Sequence, residues 1–149
     1  MTGDSVFVVD IAMPAKDIYH NSVKEALEKE GWVITHDPYF IRLGKRRGFI
    51  DLGAEMIGAE RGSEKIAVEI KSFLGTSDVD EFRDALGQFL LYQEALNEKE
   101  IDRTLFLAMP DAFYNSLFDD LFFLKILHKF NLKILIYSPI SNSVERWIS

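Results

Sequence analysis

The stretch Lys65-Ile66-Ala67-Val68-Glu69-Ile70-Lys71 decides how this sequence is read. Ile66, Val68 and Ile70 recur at every second position, the period of a strand with one buried face. Glu69 and Lys71 are two apart, so they project together from the other face. Ile70 points into the core, but its carbonyl stays beside both polar groups. Asp51 stands eighteen residues earlier, near the end of a second apolar segment, Phe49–Leu52. Burying two carboxylates and an ammonium is costly unless they pair or hold a metal.

These residue types suit one chemistry. Asp51, Glu69, the Ile70 carbonyl and waters form an oxygen shell fitting Mg²⁺, with Mn²⁺ as a substitute. Such a cation polarises a phosphate oxygen and acidifies a bound water. Lys71 is placed to hold the attacking water or to neutralise charge in the transition state. Glu-x-Lys alone is expected about once by chance in a chain of this composition, and read alone it is a strand-edge ion pair. The preceding apolar strand, the earlier Asp and the helix that follows change that weighting.

Outward from this strand, Ser77 caps a helix that runs to about Asn97, with Asp80 in capping-box position. Val79, Phe82, Leu86, Phe89, Leu90 and Gln93 lie on one side, and Ala85, Gln88 and Tyr92 on another. This predicts a helix covered on two sides. Gln88 is polar within an apolar run and needs a buried partner. Upstream, a first helix begins near Pro14 with the stripe Tyr19, Val23, Ala26 and Leu27, and ends at Gly31. Trp32–Thr35, Tyr39–Leu43 and Phe49–Leu52 read as strands, with Gly44-Lys45-Arg46-Arg47-Gly48 as a basic hairpin loop. Downstream come a strand at Arg103–Met109, one or two helices over 111–129, and a last strand at Leu132–Tyr137. Leu121-Phe122-Phe123-Leu124 reads as packed helix. The order α-β-β-β-α-β-α-β predicts a single α/β domain: a mixed sheet with helices on both faces. Residues 1–12 read as an extension before a domain spanning 13–149, the alternative being an edge strand at Phe7–Ile11.

Composition bounds the rest. The chain has 149 residues, 48% apolar and 28% charged, which fits one globular domain. Twelve Phe promise an aromatic core. The net charge of −7 argues against coating nucleic acid through bulk charge. Lys45, Arg46 and Arg47 are the phosphate contacts such a chain offers, or else a solvated hairpin tip. The absence of cysteine excludes disulfides, thiolate zinc sites and thiol nucleophiles, and fits a reducing cytoplasm. Nothing in the pattern suggests a signal peptide or a membrane span.

Ile50-Asp51-Leu52-Gly53 followed by Ile66-Ala67-Val68-Glu69-Ile70-Lys71 resembles the PD-(D/E)xK nuclease superfamily, with its restriction-endonuclease-like fold. The resemblance implies that Asp51, Glu69 and the Ile70 carbonyl bind metal and that Lys71 is catalytic. Gln88 through Tyr92 is similar to the Gln-x-x-x-Tyr of the RecB-like branch, whose Gln reaches the site. The first helix departs from the pattern: where resolvase-like relatives carry a Glu, this chain has His20. An imidazole is a poorer Mg²⁺ partner than a carboxylate, although His20 is placed to touch metal-bound water or phosphate. Glu25 falls on the far face. His36 and His128 read as structural or exposed.

A closer resemblance covers Met13 to Trp147. Pro14-Ala-Lys-Asp-Ile-Tyr-His20, Gly31-Trp-Val-Ile-Thr-His-Asp-Pro38 and Ile66 through Gly75 are similar to the XisH family, the fdxN-element excision controlling factors of cyanobacteria. This implies a role in excising a DNA element through a site-specific recombinase, with a small XisI-like partner and DNA contacted directly or through that partner. Homo-oligomerisation stays open. Two functions follow: a Mg²⁺-dependent DNA endonuclease, or a non-catalytic protein- or DNA-binding module on a degenerate nuclease fold. The acidic charge and His20 favour the second.

Overall fold

The structure, a computed structural model, describes residues 15–58 and 62–149. The proposed extension at 1–12, the alternative strand at Phe7–Ile11 and the Pro14 helix start lie outside them. The elements run α1 (Ala15–Lys29), β1 (Val33–His36), β2 (Tyr39–Leu43), β3 (Arg46–Ile50), β4 (Leu52–Gly58), β5 (Gly62–Ile70), α2 (Asp78–Lys99), β6 (Arg103–Pro110), α3 (Asp111–Leu117), α4 (Leu121–Lys129), β7 (Ile134–Ser138) and β8 (Ser143–Ile148). Six strands form a mixed sheet in the order β1-β4-β5-β6-β7-β8, while β2 and β3 form a separate hairpin. Strands β5, β6 and β7 are parallel neighbours, and the remaining pairings in this sheet are antiparallel.

Strand alternation divides the core cleanly. Ala67, Leu105, Leu107, Ile134 and Ile136 face a layer made by α2, α3, α4 and the hairpin. Ile66, Val68, Phe106, Ala108, Leu135 and Tyr137 face α1, whose Val23 and Leu27 are fully buried. The helices therefore cover both faces, as a half-parallel sheet requires. Gly31 adopts φ +96 and closes α1. Ser77 caps α2, its side chain accepting from the Asp80 amide at 3.2 Å.

The structure corrects several readings. Phe49–Leu52 is split: β3 ends at Ile50, Asp51 sits in a bend, and β4 runs on to Gly58 as the partner of β5. The antiparallel start of the sheet is thus β1-β4-β5. A close approach explains Gly53: a Cβ there would meet His36 at 3.0 Å and the Tyr39 ring at 3.1 Å. The edge strand β8 is an element that the sequence pattern does not reveal. The basic segment is not a five-residue loop, because Leu43 pairs with Arg46. A two-residue Gly44-Lys45 turn, with Gly44 at φ +65, connects strands that carry Arg46 and Arg47. Helix α2 is not covered on two sides: Phe82, Ala85 and Phe89 are buried, but Val79, Leu90 and Leu91 are exposed. Leu121 and Phe122 are exposed too, so only the second half of that apolar run packs. Residues 111–129 form two helices.

No helix among the described residues is long and apolar enough to cross a membrane.

Candidate functional site

Register sets the geometry of the site. Leu52 pairs with Val68, so Asp51, one residue outside the ladder, lies beside Glu69. Each carboxylate then latches the other strand. Glu69 Oε1 accepts from the Asp51 amide at 3.2 Å, and Asp51 Oδ2 accepts from the Ile70 amide at 2.8 Å. Two side-chain oxygens thereby satisfy backbone donors at the end of the β4–β5 ladder. The remaining oxygens are differently placed. Glu69 Oε2 lies 3.8 Å from the Lys71 ammonium, and among the described residues Asp51 Oδ1 has no hydrogen-bond partner.

These groups line a cleft of about 250 Å³ that also holds Asp17, Tyr19, His20, Phe49, Ser72, Gln88 and Tyr92. Glu69 is the buried member, with its side chain only 12% exposed. Burial, followed by repulsion from Asp51, pushes its carboxyl up to about 8, against a smaller opposing pull from Lys71. The cleft therefore holds more negative charge than its surroundings accommodate at neutral pH. Among the described residues the Lys71 ammonium answers it, at a distance longer than a hydrogen bond.

Helix α2 supplies the roof. Gln88 Nε2 donates to the Tyr92 hydroxyl at 3.0 Å, which follows from their i,i+4 spacing. Gln88 Oε1 is buried with no partner among the described residues, an orphan acceptor at the wall of a polar cleft. The Tyr137 hydroxyl donates to the Lys71 carbonyl at 3.2 Å from the opposite layer and fixes the strand end.

His20 lines the cleft but is engaged elsewhere. Its Nε2 lies 2.8 Å from Asp37 Oδ1, and Lys24 donates to the other oxygen of Asp37 at 3.0 Å. Burial would raise the Asp37 carboxyl, yet these two partners outweigh it and hold it below its usual range. His20 is thus part of a surface triad that pins α1 to the turn after β1. Lys45, Arg46 and Arg47 are exposed and do not line the cleft. His36 packs edge-on against Tyr39, and His128 is exposed.

The donor set can be tested against the cation expected from the sequence. Two carboxylates stand together at one strand end beside Ile70, and with a main-chain carbonyl they are hard oxygen donors suited to Mg²⁺. The proton-retaining Glu69 and the orphan Gln88 Oε1 are both what a missing positive charge or bound water would relieve. Among the described residues no three His, Asp or Glu side chains gather as a ready metal cage, so waters or a phosphate would complete the shell. The residues fit a weak, water-rich site. Asp17 and Ser72 also line the cleft, and sequence reasoning misses both. Asp17 reads from sequence as an ordinary first-turn helix acid.

A second charged cluster is likewise invisible to sequence reasoning. Arg103 is 3% exposed. Its Nε donates to Glu100 Oε1 at 2.7 Å, and one of its Nη atoms donates to the Ile66 carbonyl at 2.9 Å. Glu100 also accepts from Tyr39 at 2.7 Å and Lys65 at 3.2 Å. The Arg103 guanidinium, ahead of these other partners, holds the Glu100 carboxyl down at about 2. This network ties the hairpin, β5 and β6 together and lies away from the cleft.

No curated protein matches the chain. Solved crystal structures do, among them an XisH family protein from Nostoc punctiforme PCC 73102, with a TM-score of 0.80, and an fdxN element excision controlling factor protein from Anabaena variabilis, with a TM-score of 0.81. Each is 40% identical over 89% of this chain and 99% of its own. The family described as XisH protein matches residues 13–145, which takes in the Asp51–Glu69 latch, Lys71 and Gln88. With a family match over most of its length and relatives this similar in sequence and fold, the chain belongs to the XisH family.

Proposed function

We propose that this chain acts in controlled excision of a DNA element, through a divalent-cation site on a PD-(D/E)xK nuclease-like scaffold. The observation that carries the reading is the reciprocal Asp51–Glu69 latch, set in a polar cleft with Lys71 and the unpaired Gln88 oxygen. Asp51 Oδ1, Glu69 Oε2 and the Ile70 carbonyl would hold Mg²⁺, or Mn²⁺ in its place. When bound, that cation supplies polarisation of a phosphate oxygen and acidification of a water. The protein's own groups do the rest. Lys71 offsets charge on the phosphate in flight. Gln88 orients water with its free oxygen. Tyr137 keeps the Lys71 backbone in place from below. The Anabaena relative is described as an fdxN element excision controlling factor. We extend that process to this chain, with a small XisI-like partner, a site-specific recombinase and a cytoplasmic setting.

One observation favours the second reading, a non-catalytic module on a degenerate nuclease fold. His20 stands where resolvase-like relatives carry a carboxylate, and its imidazole is tied to Asp37. The two readings separate in one experiment: nicking of supercoiled plasmid in Mg²⁺ or Mn²⁺, by the chain alone and with its small partner. The catalytic reading expects nicking that Lys71→Ala abolishes while cation binding persists. Cation binding without nicking in either mixture sinks catalysis and leaves the module.

A further inference from the structure

The outer face of the β2–β3 hairpin is a ladder of like pairs. Phe40 stands opposite Phe49, and Arg42 opposite Arg47. Alternation turns the intervening Tyr39, Ile41 and Ile50 into the core, so these four side chains share the solvent face. Phe40 is 57% and Phe49 52% exposed, and both arginines are exposed.

Folding does not explain this ladder. Like charges directly opposite on a sheet destabilise it, and paired exposed phenylalanines bury little. Among the described residues none of Arg42, Lys45, Arg46 and Arg47 has an ion-pair partner. The Arg47 guanidinium lies 5.9 Å from the centre of the Phe40 ring, so charge and ring face are adjacent. A groove of about 380 Å³ separates the ladder from the end of α2, where Lys99 and one carboxylate, Glu98, line it. The ladder also leads somewhere: Phe49 lines the carboxylate cleft, two residues before Asp51.

Flat aromatic faces flanked by unpaired arginines match a polyanion that offers unstacked rings. Duplex DNA presents base edges and phosphates, and gripping it non-specifically takes extended positive surface. A chain of net charge −7 is poor in that. A single strand exposes base faces, which stack on aromatic side chains with little regard to sequence. We propose that the hairpin's outer face is a stacking platform for unpaired DNA, with Phe40 and Phe49 under bases, Arg42 and Arg47 on phosphates, and the strand led on to the Asp51–Glu69 cleft. The proposal rests on the DNA reading above and names the form of DNA that site receives.

Fluorescence anisotropy tests it with a labelled oligothymidylate of roughly 15 nucleotides, near the upper end of known single-strand site sizes, against a hairpin duplex of the same length. The platform predicts that the oligothymidylate binds at least about tenfold more tightly than the duplex. Phe40→Leu with Phe49→Leu keeps the apolar character but removes the ring faces, and weakens binding by about tenfold or more. Arg42→Gln with Arg47→Gln weakens it and flattens the logarithmic salt slope by about 1.4. Duplex binding as tight as single-strand binding, unchanged affinity in the Leu variant, or no binding of either probe overturns the platform. Cation binding, read by calorimetry on the same proteins, keeps the two ideas apart. Strand binding without cation binding supports the platform and sinks the metal site. Cation binding without strand binding sinks the platform alone.

Discussion

Replacing Glu69 with Gln should make the cation-free protein more stable. The carboxyl moves from 4.5 to about 8 on folding, mainly through burial and then through Asp51. Each unit corresponds to about 1.4 kcal/mol, so the native state carries a charge penalty approaching roughly 5 kcal/mol above pH 8. The sign follows from the direction of the shift. Below pH 4.5 the group is protonated in both states and no penalty exists. As pH rises from there toward 8, the unfolded chain ionises freely, the native state resists, and stability falls. The Lys71 attraction is already contained in that net shift; glutamine keeps an oxygen for the Asp51 amide but turns an amide N–H₂ toward the ammonium, a pH-independent cost of about 1 kcal/mol. We therefore expect a net gain of about 3 kcal/mol at pH 8, shrinking to near zero at pH 5. Urea unfolding in the presence of a chelator, repeated across this range, measures it. A Glu69→Gln variant less stable than wild type at pH 8, or a difference that does not grow with pH, refutes the reasoning. Saturating Mg²⁺ should reverse the order, because a ligand that binds only the native state stabilises it by mass action.

Glu100 titrates with the opposite sign. Its carboxyl falls from 4.5 to about 2 on folding, so its stabilisation is complete above the unfolded value and is lost as pH falls from 4.5 toward 2. Glu100→Gln should cost about 3 kcal/mol at pH 7, leaving Arg103 buried and uncompensated, and almost nothing at pH 2, measured by chemical denaturation. Gly53→Ala should cost about 1–3 kcal/mol through overpacking against His36 and Tyr39; a neutral Tm shift would show that β1 yields.

Local signals account for what was legible in the sequence. The α1 stripe, the Ser77 cap and the alternation of β5 are set by residues a few positions apart, and all three stand in the structure. Segments whose structure depends on distant partners were not legible. Strand β4 carries two glycines and a Glu, and its burial comes from β5 and from Tyr39 folding over Gly53. Strand β8 has no fully buried residue and exists because β7 offers it an edge. Arg103 looks like an ordinary charge at a strand start, since its carboxylate partner matters only once Tyr39 and Lys65 converge on it. At the cleft, alternation places Glu69 with Lys71, the end of the Phe49–Leu52 segment brings in Asp51, and Gln88 stands out as polar within an apolar run; the superfamily resemblance adds their roles. What no pattern shows is the reciprocal latch, which depends on β4 joining the ladder one residue after Asp51.

Calorimetric titration of Mn²⁺ into the chelator-stripped chain, at pH 8 and again at pH 6, tests the central claim most directly. A single site is expected in the wild type, weaker at pH 6 because the cation must displace the proton that Glu69 retains below about 8. Asp51→Asn should remove that binding without unfolding the protein, since an asparagine oxygen can still accept from the Ile70 amide. Heats that are absent in the wild type, or identical in Asp51→Asn, would contradict the assignment of a cation site to Asp51 and Glu69.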